Sequence, residues 1–164
     1  MLERILPRQA SNDYLGSPIA LWAFWLLMVP LTFRSFVHFL KDDSGVNSIA
    51  TIMTFPGTPD PNVVIYMFSS AWGSQQLIML LVYFVVLLRY RTLLPLMYVL
   101  FILENLFRLV VGTLHPLTAE YFERTPPGKP GTFLFLAVGV IMLLLSLRSR
   151  DEAIEAEPVR PLGA

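Results

Sequence analysis

Leu87-Leu88-Arg89-Tyr90-Arg91-Thr92-Leu93-Leu94 is the stretch on which the fold turns. Its two arginines sit in a very short break between one apolar run, Val63 to Leu88, and another, Thr92 to Leu114. A hydrocarbon core about 30 Å thick is crossed by roughly 20 helical residues, because each advances about 1.5 Å. Both runs are long enough, so the break reads as a tight turn between two membrane-spanning helices. Arginine and lysine gather on cytoplasmic flanks, which places this turn on the cytoplasmic side.

Two further runs lie outward from that turn. Residues 18–40 open with Pro18 at a first helical position, carry Trp22 and Trp25, and hold Pro30 inside, where a kink is expected. Residues 132–147 are shorter but almost uninterrupted, and Gly139 would permit a close helix contact. The sequence therefore predicts an all-α integral membrane four-helix bundle, with spans at 18–40, 63–88, 92–114 and 132–147. A cytoplasmic N-terminal segment, 1–17, precedes the transmembrane domain, 18–147, and a charged flexible tail, 148–164, follows it.

The distribution of basic residues agrees with this orientation. Arg4, Arg8, Arg89, Arg91, Arg148, Arg150 and Arg160 fall on the inner flanks, whereas the outer loops hold only Lys41, Arg124 and Lys129. The N-terminal run has a basic lead but no small-residue cleavage site after it, so it reads as a retained anchor. The first outer loop, 41–62, is too long for a simple turn. Its apolar stretch Ile49 to Phe55, bounded by Gly45 and Pro56-Gly57, is compatible with a short interfacial helix. Such a helix would be either a lid over an outward-facing pocket or a segment resting on the bundle rim.

The informative residues are the polar ones at bilayer depth, where a charge costs roughly 2.5 to 3.5 kcal/mol and normally finds a partner. Glu104 and Arg108 are four apart on one face of the third span, with His115 seven beyond Arg108. At about 1.5 Å per residue from the cytoplasmic end, Glu104 lies near 18 Å and Arg108 near 24 Å. The same count puts Arg34 near 24 Å on the first span, with His38 one turn farther out. On the second span Gln76 falls near 18 Å and Trp72 near 24 Å, with Ser69 and Tyr83 on the same stripe. Matching depths predict one cluster of Arg34, His38, Trp72, Gln76, Glu104, Asn105, Arg108 and His115.

Two readings of that cluster stand side by side. In one, Glu104 bridges Arg34 and Arg108 while Gln76 and Asn105 satisfy the remaining donors, and the cluster holds the bundle together. In the other, a pocket open to the outer face uses the surplus arginine charge to bind a small anionic molecule, through a carboxylate or phosphate, or a lipid headgroup.

Composition removes other classes. The chain has 164 residues, 55% of them hydrophobic, which is too apolar for an ordinary soluble domain. Twelve basic and 12 acidic residues balance, so no basic face is set out for nucleic acid. The absence of cysteine excludes disulfides, iron–sulfur clusters and thiolate metal sites. Two histidines on different spans, without an HxxxH or HxxE pair, point to no metal or haem, and no nucleophile elbow or phosphate loop is present. No cofactor is expected, and an enzymatic reading rests only on Glu104 with His38 or His115 as proton carriers. The expected partners are membrane lipids, together with another membrane protein or a second copy of the chain.

The order of features resembles the small four-helix bacterial membrane proteins grouped as DoxX-like. The resemblance covers roughly residues 18–147 and rests on four spans with inside termini and a long first outer loop. It also includes a glycine in the second span leading to a basic turn, Gly73 through Arg91, and an arginine late in the third, Arg108. The chain departs from that pattern in Trp72-Gly73-Ser74, where a paired glycine is more typical, and in Glu104. The resemblance implies the bacterial inner membrane and a structural or accessory subunit of a membrane assembly, one that binds another membrane protein or a quinone. It carries over no catalytic residue.

Overall fold

The computed structural model describes residues 2–125 and 128–148. All regular elements among them are helical: α1 (Leu2–Ile5), α2 (Pro18–Leu40), α3 (Pro61–Arg89), α4 (Leu94–Leu114) and α5 (Gly128–Leu147). Three apolar helices are long enough to cross a membrane: α2, α3, and α4 with its leading 3-10 turn Arg91–Leu93. The apolar part of α5, Gly131–Leu147, is shorter. The tail expected over 148–164 lies outside the described residues beyond Arg148.

Local chemistry sets the helix starts. Ser17 caps α2 by accepting the Ile19 N–H, and Asp60 caps α3 by accepting the Asn62 N–H at 2.9 Å. Each cap is followed by a proline at the first turn, where a missing N–H costs nothing. Pro30 lies inside α2 without ending it. Between α3 and α4 the chain reverses through Tyr90 and the single 3-10 turn, with the Leu93 N–H bonded to the Tyr90 carbonyl at 2.8 Å.

α2 packs along α3 and also touches α5, and α5 packs along α4. The approach of α3 to α4 is sparse. The best-buried core lies toward the α3–α4 turn, where Phe24 meets Tyr83 and Tyr98 edge-on at centroid distances of 5.2 and 4.9 Å. The Tyr98 hydroxyl donates to the Ala20 carbonyl at 2.6 Å, so this aromatic group has no unmet polar end on α4. The N-terminal segment runs beneath that core. Ser11 and Thr92 exchange hydrogen bonds through backbone and side chain, and the Ser17 N–H reaches Leu145.

The opposite end differs from the sequence expectation. Residues 42–49 form consecutive turns, and no helix occupies the loop between α2 and α3. Ser44 and Gly45 before the apolar stretch and Thr51 within it adopt positive φ, which breaks helical propagation there. Asp43 fastens the first turn by accepting the Gly45 and Ser48 N–H groups at 3.0 and 2.7 Å. Beyond it the chain becomes a strap, not an interfacial helix. Ile52 pairs with Phe122, and the Met53 and Glu123 N–H groups bond across to Tyr121 and Thr51. The two connections are thus zipped over one end of the helices.

Asp43 gives this end a pH dependence. Burial alone would raise its pKa, but the Ser48 and Gly45 hydrogen bonds and nearby Lys41 outweigh that and hold it at about 2. A carboxylate depressed below its unfolded value of about 3.9 stabilises the fold at higher pH, and that contribution fades as pH falls from about 4 toward 2. We expect Asp43→Asn to melt lower than the wild type at neutral pH in detergent, with the gap closing on acidification through this window. A gap that is constant with pH would show that the carboxylate charge is irrelevant to the turn.

Candidate functional site

Three helices bring their polar side chains together midway along their length. From α2, the Arg34 Nη2 donates to Glu104 Oε1 on α4 at 2.7 Å, and its Nε donates to Gln76 Oε1 on α3 at 3.1 Å. Arg108, one turn beyond Glu104, donates its own Nη2 to the same Oε1 at 2.9 Å. One carboxylate oxygen therefore serves two guanidiniums. All three charged side chains are less than a third exposed, at 22, 28 and 29% for Arg34, Glu104 and Arg108. The second oxygen of Glu104, Oε2, takes no bond among the described residues.

Trp72 closes the loop end of this group. The Arg108 guanidinium lies 5.2 Å from its ring and that of Arg34 6.0 Å, within cation–π range. The His38 ring rests against the same indole at a centroid distance of 4.8 Å. Its Nδ1 is 2.8 Å from the Ser44 carbonyl, which can only accept, so Nδ1 carries the proton of that bond. The Ser44 hydroxyl donates back to the His38 carbonyl. His38 is thus tied to the turn behind it and adjoins the cluster only through Trp72.

Two residues of the expected cluster do not join it. Asn105 is 1% exposed, and its Nδ2 donates to the Phe101 carbonyl of its own helix at 2.8 Å. One residue on from Glu104 is a turn of roughly 100° around an α-helix, which carries Asn105 off the shared face. His115 is the C-cap of α4, with φ −130° and ψ 68°, and its side chain is exposed. The heptad spacing from Arg108 loses its meaning there because the helix has ended. Among the described residues no group of three His, Asp or Glu side chains gathers to hold a metal.

Beside the ion pairs, where α3 and α4 stand apart, lies a cavity of about 290 Å³. Leu31, Met79, Leu80, Leu100, Leu103 and Phe107 form its apolar walls, and Arg34, Gln76, Tyr83 and Glu104 supply its polar groups. Its rim at Trp72, Gln75, Leu103 and Phe107 is exposed on the flank of the helices, away from the zipped loops. Tyr83 was visible in the sequence as part of the Gln76 stripe, seven residues on, but its hydrophobic neighbours concealed its importance. It is 2% exposed and its hydroxyl has no hydrogen-bond partner among the described residues. The Nε2 of Gln76, a residue 7% exposed, is likewise unpaired, as is the Arg108 Nε.

The surplus arginine is placed differently from the sequence argument. Arg108 does not line the cavity. It is seated on Trp72 and bonded to Glu104, so the charges on the cavity wall are one bonded pair, Arg34 and Glu104. A second cavity of about 250 Å³ lies at the far end, under the N-terminal segment. There Arg4 and Arg148 are offset by Glu3 and Asp13, and none of the three unpaired buried groups reaches it.

Comparison of the chain with protein-family models, with curated proteins and with solved structures finds no match.

Proposed function

We propose that this chain is a multi-pass integral membrane protein that binds a small amphipathic molecule, taken laterally from the bilayer, between α3 and α4. In this reading α2, α3, α4 and α5 form a four-helix transmembrane bundle in a bacterial inner membrane, with both termini and the Arg89-Tyr90-Arg91 turn cytoplasmic. Three long apolar helices support the membrane setting, and the arginine asymmetry supports the orientation. The DoxX-like kinship belongs to the same proposal and rests on the order of spans, glycine, basic turn and late arginine.

One observation carries the binding role: a largely apolar cavity into whose walls Gln76 and Tyr83 bring buried, unpaired polar groups. Leaving such groups unsatisfied costs about 1 to 3 kcal/mol each, and a partner that bonds them recovers that cost. A ligand with a polar head and an apolar body supplies both the missing bonds and the filling of the cavity. The zipped loops cover the nearer end of the helices, and the exposed rim faces the flank where lipid would lie.

Trp72 provides the test, because substituting Trp22 and Trp25 by Phe leaves it as the sole tryptophan. In phosphatidylcholine nanodiscs we expect dibromostearoyl probes to quench Trp72 saturably, and Leu100→Phe, which fills the cavity, to abolish the saturable part. Quenching that rises linearly with probe and ignores Leu100→Phe would reduce the groove to ordinary lipid contact and reject the binding role.

A second reading, a structural or accessory subunit, is favoured by the shared Glu104 oxygen, since a network closed on itself needs no ligand. Its partner would be another membrane protein or a second copy of the chain.

A further inference from the structure

We infer that the groove selects an uncharged, carbonyl-bearing lipophile, such as an ester, ketone or amide, in preference to an anion. This inference rests on the binding role proposed above and names the chemical class of its ligand.

The argument begins with the orientation of one amide. Arginine can only donate, so the oxygen of Gln76 must face the Arg34 Nε, and at 3.1 Å it does. The amide nitrogen is thereby turned away from Arg34 with both of its N–H groups unpaired. Gln76 is not free to exchange its ends, because doing so would set N–H against N–H. The unpaired end of Gln76 is thus a fixed donor.

Tyr83 offers the second. Seven residues along α3 from Gln76, it shares the same face, with its Cα about 10.5 Å farther toward the α3–α4 turn. Helical side chains lean back toward the N-terminus, which brings the phenol nearer the Gln76 level. The hydroxyl is buried, unpaired and within electrostatic range of both Glu104 and Arg34. Gln76 can only donate with its free end and the Tyr83 hydroxyl can also donate, so an acceptor on the ligand satisfies either.

Charge decides between acceptors. An anion would be drawn to an unmatched cation, but the surplus cation, Arg108, is outside the groove and stacked on Trp72. The cation that does line it, Arg34, is already bonded to Glu104 and Gln76. Glu104 shares the wall, and its unbonded second oxygen adds negative potential at the level of Gln76. A carboxylate placed there would give up its hydration with no free cation within bonding reach, because Arg34 is already paired with Glu104, whereas a neutral carbonyl oxygen accepts from Gln76 or Tyr83 without that cost. The leucines, Met79 and Phe107 take the apolar remainder.

The test compares two probes that differ only in the head, dibromostearic acid and its methyl ester, on the Trp72-only protein in phosphatidylcholine nanodiscs at alkaline pH, where the acid is ionised. We expect saturable quenching by the ester at concentrations about tenfold lower than by the acid, and Tyr83→Phe to weaken the ester by about fivefold, the worth of one hydrogen bond. Gln76→Leu should do the same, and if it fails to fold, Tyr83→Phe decides alone. Equal or tighter binding of the ionised acid overturns the inference while leaving a binding groove in place. Ester binding indifferent to Tyr83→Phe overturns it too, since the donors would then not touch the head. No saturable quenching by either probe removes the binding role itself and this inference with it.

Discussion

Glu104→Gln is expected to lower the yield of assembled protein and to cost about 3 kcal/mol of stability, the largest effect of any substitution in the polar cluster. Its carboxylate is the counter-charge for both Arg34 and Arg108, which bond the same oxygen. Removing it leaves two guanidiniums facing each other at low exposure, and an uncompensated buried charge of this kind costs about 3 to 5 kcal/mol. Partial exposure of all three side chains places the expectation at the lower end of that range. Arg108→Gln is expected to cost less, about 1 to 2 kcal/mol, because one matched pair, Arg34 with Glu104, survives it. The midpoint of unfolding in mixed detergent micelles, read for the two variants together, checks the order. If Glu104→Gln unfolds where the wild type does, the carboxylate does not hold the helices. The same proteins separate the two functional readings: a variant at Arg34 or Arg108 that folds and assembles normally yet loses saturable quenching of Trp72 rejects a purely structural role. One that loses assembly and binding in proportion supports it.

The parts of this architecture that were legible in the sequence are those set by local rules. Ser17-Pro18 and Asp60-Pro61 announce helix starts, and Arg89-Tyr90-Arg91 announces a reversal between two apolar runs. Counting depth at a fixed rise per residue set Gln76 level with Glu104 and Arg34 level with Arg108, and in the structure Arg34 is bonded to Gln76 and Glu104. That count works because an α-helix is a straight ruler, and it fails where the ruler stops. His115 lies one residue past the end of α4, and Asn105 shares the depth of the cluster but not its face.

The strap at 49–55 failed for a related reason. Its apolar residues gave a helical reading, while Ser44, Gly45 and Thr51, whose positive φ values keep a helix from forming, give no hydropathy signal of it. Least legible was the separation of α3 from α4. No pattern within either helix states that their approach is sparse, because it follows from how α2 and α5 share the remaining faces. The groove, and with it the significance of Tyr83, is a property of the assembled helices.

Gly73→Leu is expected to have the second large effect, by forcing α2 and α3 apart at a tight backbone contact. A Cβ on Gly73 would stand 2.7 Å from the His38 carbonyl carbon and 2.8 Å from the Phe39 nitrogen, both of them backbone atoms that no rotamer change can move. Overpacking of a tight contact costs about 1 to 3 kcal/mol, so even Gly73→Ala should be destabilising, and leucine more so. Two other glycines calibrate the expectation. A Cβ on Gly139 would meet the Ile102 side chain at 3.0 Å, a neighbour that can yield, so Gly139→Ala should cost less. A Cβ on Gly112 would meet nothing within 4 Å, and Gly112→Ala should be neutral or stabilising by up to about 1 kcal/mol through helix propensity. The expected order of unfolding midpoints is therefore Gly112→Ala above Gly139→Ala above Gly73→Ala, and a flat order would deny the backbone contact. Gly73 also adjoins Trp72 and lies one turn from Gln76, so displacing α3 there lengthens the Arg34 bond to Gln76 and releases the amide that it orients. Gly73→Ala should thus lose the preference for the ester probe along with stability, whereas Gly139→Ala, on the far side of α4, should lose stability alone.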